Sequence, residues 1–151
     1  MKRFHFPLRP VAMLRAHREL RAREIFAAAL QNYSMAEEHL RRVGLRLRAL
    51  EKALFNGREK TFHASEAAHL LSDYRRECEA ETEAENRVAL AREEVRKARA
   101  DYMAAHRELK IVGRLEEKAR DHHRLENNRA EQAELDELAG SRRDHPLLIS
   151  S

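Results

Sequence analysis

Histidine, cysteine and glutamate side chains are the groups in this sequence best able to act as metal ligands, nucleophiles, acids or bases. The 151-residue chain contains nine histidines. The neighbours His122 and His123 would point about 100° apart on a helix, and no two histidines are four residues apart. We therefore interpret the histidines as solvated helix-surface residues, and expect no metal site and no cofactor.

The remaining candidates for chemistry do not form a catalytic site either. Cys78 is the only cysteine, which excludes an intrachain disulfide, and we interpret it as a small buried hydrophobic side chain. Glutamates at every second position from Glu77 to Glu85 are spread around a helix rather than gathered on one face. The sequence has no phosphate-binding glycine loop, nucleophile elbow or zinc-ligand spacing, so we predict a protein that is not an enzyme.

Two long helices are predicted to carry these side chains, because apolar residues recur at alternating steps of four and three. Such spacing is typical of a helix that keeps one stripe, or seam, against a partner helix. The seam in the second half consists of Ala84, Val88, Ala91, Val95, Ala98, Tyr102, Ala105, Leu109 and Val112. The seam in the first half consists of Ala22, Phe26, Ala29, Tyr33, Ala36, Leu40, Val43, Leu47, Leu50 and Leu54.

The two seams predict an all-α fold, a long antiparallel two-helix coiled-coil hairpin whose second helix is longer than the first. We expect a single domain over residues 1–151, with helix one at about 8–55 and helix two at about 66–139. Asn56 and Gly57 are expected to end helix one, Ser65 to cap helix two and Gly140 to end it. The connection then covers 56–65, and a tail at 140–151 contains the apolar patch 147–149.

Pairing the seams predicts which residues of the two helices are neighbours, with the register open by one heptad. The expected neighbours are Phe26 and Val95, Tyr33 and Val88, and Leu8 and Gly113. Helix two then extends beyond helix one by about 27 residues, or roughly 40 Å. Gly44 is expected to be a weak point in helix one or a place of close approach.

The charge distribution favours protein partners over nucleic acid. The formal net charge is +4, but residues 1–57 carry twelve basic and five acidic side chains, whereas the rest of the chain is mildly acidic. The sequence contains no concentrated basic patch of the kind that indicates nucleic-acid binding. No apolar run approaches the length of a membrane span and no signal peptide is recognisable, so we expect a cytosolic protein without direct membrane insertion.

Apolar side chains near the predicted turn exceed what a two-helix seam can bury, so some must be exposed. Exposed apolar surface on such a hairpin indicates docking or self-association. The residues are Leu40, Leu45, Leu47, Leu50, Leu54, Phe55, Phe62, Leu70, Leu71 and Tyr74.

Three segments together resemble the flagellar FliJ family, in order and over nearly the whole chain. The first segment runs from Phe4 through Phe6, Pro7, Leu8, Arg9, Val11 and Leu14 to Arg15, followed by Glu19, Ala22, Glu24 and Ala27. The second contains Tyr102, Glu108, Leu109, Lys110, Leu115, Glu116 and Lys118, and the third is the stretch from Glu131 to Ala139. Gly113 and the tail from Pro146 to Ser151 depart from the family pattern.

The resemblance implies a stalk component of the bacterial flagellar type III export apparatus, peripheral to the inner membrane and acting in flagellum biogenesis and motility. Such a stalk inserts into the hexameric export ATPase, contacts the cytoplasmic part of the membrane export gate and escorts export chaperones. The expected ATPase-binding residues are Arg15, Arg18, Arg21, Leu115, Lys118, Arg120 and Arg124. The expected gate-binding residues, interpreted as an exposed apolar strip, are His39, Val43, Leu47, Leu50 and Tyr74.

Two alternatives remain open at the level of the sequence. One is a generic cytosolic coiled-coil scaffold that forms homodimers and has no ATPase partner. The other is a stalk of a virulence-type secretion system with the same architecture. A hairpin that pairs its own seams predicts a monomer, whereas long unpaired helices predict a dimer.

Overall fold

The fold is a hairpin of two helices. The computed structural model describes residues 2–59 and 63–144. Helix α1 comprises Arg9–Glu59 and helix α2 comprises Ala64–Arg143, and the described residues contain no strand. With 80 residues against 51, α2 is the longer helix. The predicted all-α antiparallel hairpin with a longer second helix is therefore confirmed.

Helix α1 ends later than the sequence indicated. It continues through Asn56 and Gly57 to Glu59, four residues beyond the expected end at position 55. No glycine among the described residues has a positive φ angle. The left-handed conformation that makes Asn-Gly a helix stop is therefore not adopted at this position.

Helix α2 is longer than expected at both ends. The backbone amides of Glu66 and Ala67 donate to the carbonyl oxygen of His63 at 3.0 and 3.2 Å, so His63 precedes the helix and Ser65 lies inside it. At the other end α2 runs through Gly140 to Arg143, and its last turn is basic, which favours the negative end of the helix dipole.

Parts of the predicted turn and tail lie outside the described residues. They include Phe62 and the apolar patch at 147–149.

Contacts divide the chain into two compact units. The terminal unit comprises Met1–His17 and His106–Ser151, and the central unit comprises Arg18–Ala105. Each has a narrow core. The buried apolar residues are Phe6 and Val112 in the terminal unit, and Ala29, Val43, Ala84, Val88, Ala91 and Ala98 in the central unit. A single domain over the whole chain stays a prediction.

The predicted seams are the faces that the helices bury. In the central unit every seam residue from Ala22 to Leu54 on α1, and from Ala84 to Ala105 on α2, is buried or half-buried. In the terminal unit the same holds for Leu109 and Val112. Alanine fills many of these positions because a small side chain allows two helix backbones to approach closely.

The register of the hairpin differs from the expected one. In the central unit Phe26 stacks on Tyr102 rather than lying near Val95, and the ring centroids are 5.9 Å apart at an interplanar angle of 11°. The guanidinium of Arg92 lies 6.0 Å from the ring centroid of Tyr33, where Val88 was expected.

The terminal unit shows a shift in the same direction. Arg9, next to Leu8, forms an ion pair of 3.3 Å with Glu116 rather than lying near Gly113. Helix α1 also continues past Asn56 and Gly57, so the connection lies further along the chain than predicted.

Gly44 and Gly113 are expected to be sites of easy stabilisation. A Cβ atom added at either position would meet no atom within 4 Å, so neither glycine serves a close approach. Gly44→Ala should therefore raise the free energy of unfolding by about 1 kcal/mol, because glycine is that much less favourable than alanine inside a helix. Urea unfolding followed by circular dichroism measures this. Gly140→Ala, in the last turn of α2, is the control with a smaller gain. A Gly44→Ala variant no more stable than the unchanged protein would contradict the expectation.

Candidate functional site

The predicted ATPase-binding cations of the terminal unit largely engage other parts of the same unit. Arg15 is half-buried, and its Nη1 donates a hydrogen bond of 3.1 Å to the carbonyl oxygen of Glu108. Arg120 pairs with Glu116 at 3.2 Å, and its guanidinium lies 5.4 Å from the ring centroid of Phe4. These two arginines therefore help to hold α1 and the preceding segment against α2.

The other members of the predicted set are more accessible. Arg124 is exposed and pairs with Asp121 on its own helix at 3.2 Å. Lys118 and Leu115 are exposed in the terminal unit, and Arg18 and Arg21 are exposed in the central unit. The structure thus places the seven predicted residues on both units, and their binding role stays a prediction.

The segment before α1 packs along α2 in the terminal unit. Phe6 is buried, and the ring of Phe4 lies 5.5 Å from that of His123 at an angle of 56°. His123 Nε2 lies 3.0 Å from the carbonyl oxygen of Lys2 and 3.2 Å from Asn127 Nδ2. A carbonyl oxygen only accepts and an amide nitrogen only donates, so Nε2 satisfies one of these partners at a time. Protonated at Nε2, His123 binds the N-terminal segment.

The sequence did not predict one apolar surface of the terminal unit, although one of its residues, Leu115, belongs to the predicted ATPase-binding set. Val11 and Leu115 each directly precede a seam residue, Ala12 and Glu116 respectively. In an antiparallel pair such positions flank the seam on the same side. We call this surface the apolar flank. It consists of the exposed residues Leu8, Val11, Leu14, Ile111 and Leu115.

The predicted gate-binding strip is not an exposed surface. Val43 is 0% exposed, and the other four predicted residues, His39, Leu47, Leu50 and Tyr74, are half-buried. The interpretation of these residues as an exposed strip is wrong for Val43, because it lies at a seam position and packs between the helices. Whether these residues bind a partner stays a prediction.

Exposed apolar side chains are nevertheless present toward the connection between the helices, as the sequence predicted. We call them the tip residues. They are Leu45, Phe55 and Leu71, which are 50%, 66% and 45% exposed. Phe55 and Leu71 line one shallow groove with Glu51, Leu54 and Tyr74.

Tyr74 is tied to its surroundings in this groove by polar contacts. Its pKa is raised above the ordinary value, first by a hydrogen bond with Cys78 and then by the negative charge of Glu51 on the other helix. Cys78 is half-buried. Half-buried Tyr74 and the more exposed Phe55 and Leu71 therefore line the same groove.

The end of α2 in the terminal unit is exposed, and its first part, up to Glu134, lines grooves with Lys2 and Phe4. Every side chain from 128 to 144 is exposed, including Leu135 and Leu138. The basic side chains of this stretch are Arg129 and, in the last turn, Arg142 and Arg143. An isolated helical end with so little apolar burial is marginal in water.

The described residues contain neither a metal site nor a membrane span. Among residues 2–59 and 63–144, no three His, Cys, Asp or Glu side chains are grouped so that they could hold a metal ion. In the same part of the chain neither helix has an apolar stretch of the length that crosses a bilayer.

Comparison with known proteins gives one family. The family model described as "Flagellar FliJ protein" matches residues 4–144. The comparisons with curated proteins and with solved structures gave no match.

Replacement of Val43 should lower stability, whereas replacement of its exposed neighbour should not. Val43→Ala removes two methyl groups from a fully buried position, so we expect a loss of about 2 kcal/mol in the free energy of unfolding. Leu45→Ala, at a half-exposed position on the same helix, should change it by less than about 0.5 kcal/mol. Urea unfolding of both variants makes the comparison. Equal losses would mean that Val43 is not part of the core.

Proposed function

Because the chain belongs to the FliJ family, whose members are components of the flagellar type III export apparatus, we propose that it acts there as a stalk that couples the hexameric export ATPase to the export gate. The family is an export family rather than a known enzyme family. In this proposal the protein works by binding other proteins at the cytoplasmic side of the inner membrane, escorts export chaperones and carries out no reaction of its own.

The exposed apolar flank of the terminal unit is the observation that supports ATPase binding most directly. Five large apolar side chains lie on α1, directly before it and on α2, in a unit whose buried apolar core contains only Phe6 and Val112 among the described residues. Exposed apolar surface of this extent on a charged helix pair is typical of a docking surface. We propose that the apolar flank enters the pore of the ATPase ring.

The basic side chains of the predicted set have a different role in this proposal. Arg15 and Arg120 are engaged within the terminal unit, whereas Lys118 and Arg124 are exposed beside the apolar residues of α2. Exposed charges at the rim of an interface mainly raise the association rate and set the orientation of binding. Apolar contacts should therefore provide most of the affinity, and the cations should make binding dependent on salt.

Charged substitutions in the apolar flank should weaken ATPase binding without unfolding the protein. We expect Val11→Asp together with Leu115→Asp to weaken binding at least about tenfold, because each introduces a carboxylate into an apolar interface. Both residues are exposed, so the fold should tolerate the change. Co-purification with the hexameric ATPase and its ATP hydrolysis rate are the measurements.

The matched control is Met103→Asp, an exposed apolar position in the central unit. It should bind and stimulate the ATPase as the wild type does. If the wild-type protein neither binds the ATPase nor changes its rate at low salt, the proposal of a stalk in the ring is wrong.

The tip residues are our revised proposal for contact with the export gate. Leu45, Phe55 and Leu71 are the exposed apolar residues closest in sequence to the connection, whereas Val43 is buried. The groove below Phe55 and Leu71 offers a site for an apolar side chain of a partner.

Removal of the tip side chains should reduce motility at unchanged protein level. We expect the variant with Leu45, Phe55 and Leu71 all replaced by Ala to swarm more slowly in soft agar, because it lacks the apolar docking surface. Leu90→Ala, at an exposed position elsewhere in the central unit, is the control. Wild-type swarming of the triple variant, with normal abundance on immunoblots, would exclude the tip residues from gate binding.

A generic scaffold that forms homodimers is the second candidate, and the exposed leucines of α2 favour it. Leu135 and Leu138 are about 60% exposed and lie on a helix end that packs on nothing among the described residues. The pairing of α1 with α2 uses the seams internally, so the stalk proposal expects a monomer. Light scattering on the purified protein distinguishes the two, since a stable dimer would favour the scaffold. Flagellar or virulence genes next to the gene for this chain would distinguish a flagellar export stalk from the stalk of a virulence-type secretion system.

A further inference from the structure

Two tyrosines of the central unit, one on each helix, are contacted by an arginine from the opposite helix. Arg92 Nη2 donates to the hydroxyl of Tyr33 at 3.5 Å, and its guanidinium lies 6.0 Å from the centre of that ring. In the reverse direction, Tyr102 of α2 raises the pKa of Arg23 of α1 through its hydroxyl group. Tyr102 also stacks on Phe26, 5.9 Å away. We call these five residues the tyrosine clasp.

A buried carboxylate holds Arg23, one of the two arginines of the clasp, in place. Glu19 is only 4% exposed, and its Oε1 accepts a hydrogen bond of 2.7 Å from Arg23 Nη2. The pKa of Arg23 is raised first by this hydrogen bond and further by the hydroxyl group of Tyr102. A carboxylate at such a buried position is costly unless it is paired. Its pairing with Arg23 directs that guanidinium toward one residue of α2, Tyr102.

The alanine layers of the seam do not by themselves distinguish one register from the next. Small residues recur every seven positions on α1, as Ala22, Ala29 and Ala36, and on α2 from Ala84 to Ala105. A shift of α2 by one heptad would again place alanines among larger side chains. The ion pair between Arg46 and Glu77, at 3.5 Å with Arg46 57% exposed, adds little because solvent screens it. Only contacts that do not repeat with the heptad can select the register.

We propose that the tyrosine clasp selects one register of the hairpin from the heptad-shifted alternatives. A shift of one heptad moves Tyr102 away from both Arg23 and Phe26, and moves Arg92 away from Tyr33. The clasp therefore loses both of its arginine contacts and its ring stack in a single step. Polar residues at a coiled-coil seam specify register in this way, at a cost in stability.

Distance measurements between two spin labels test this inference on the full chain. Labels are attached to Met35→Cys and Asp101→Cys, which are exposed positions on the two helices of the central unit, in a Cys78→Ser background. The otherwise unchanged protein should give one distance by double electron–electron resonance. Tyr33→Leu with Tyr102→Leu should give a second distance, corresponding to a slip of roughly 10 Å along the helices, because seven residues rise by ~1.5 Å each.

Tyr74→Leu is the matched control, since Tyr74 is a half-buried tyrosine of the central unit that does not belong to the clasp. It should retain a single distance. A single distance in the double leucine variant, with its helix content intact by circular dichroism, overturns the inference. A second distance in the Tyr74 control does so too, because any seam tyrosine would then suffice.

Should the leucine pair fail to fold, Tyr33→Phe with Tyr102→Phe decides the question. These changes keep both rings and the stack on Phe26 but remove the hydroxyl groups that the two arginines contact. A second distance, populated above that of the control, supports the clasp. One unchanged distance contradicts it.

Discussion

Two paired helices can bury only one stripe of side chains on each helix. The packing of those two stripes determines which other side chains of this molecule are exposed. The stripes here are rich in alanine, and the buried apolar residues are few and small apart from Phe6. Close approach of the backbones compensates in part for the little apolar volume, because dispersion contacts depend on distance. Any further large apolar side chain must lie outside the seam. Exposed leucine, methionine and phenylalanine residues are therefore a direct consequence of the architecture, and they give the protein surfaces with which to bind others.

The location of the buried faces was predictable from the sequence, because the seven-residue repeat fixes which side of a helix faces its partner. The ends of the helices and the register were not. The helix stop assigned to Asn56 and Gly57 rested on local preference, yet both residues continue α1 as ordinary helical residues. Helix propensities are weak compared with the packing of a long paired helix. The spacing also failed to predict that Phe26 stacks on Tyr102.

The presence of exposed apolar surfaces was predictable from the sequence, but the residues that form them were less so. Counting apolar residues near the turn showed that some had to be exposed, but the count does not say which ones. Val43 was placed on the surface although its heptad position buries it, whereas Leu45 is the exposed residue of that pair. The apolar flank was missed for a related reason. Val11 and Leu115 lie beyond the ends of the two predicted seams, so the spacing did not assign them to a face of the hairpin.

The thin core of the central unit also determines how this part of the protein opens. A layer of seam residues contacts only the layers next to it, so no residue is anchored by distant parts of the unit, and opening can spread one turn at a time. In such an arrangement backbone amides exchange with solvent at rates that follow their distance from the weakest layer. The slowest amides are then those beside the buried run of Ala84, Val88 and Ala91. A helix pair built in this way loses order gradually along its length, unlike a globular core that opens as one.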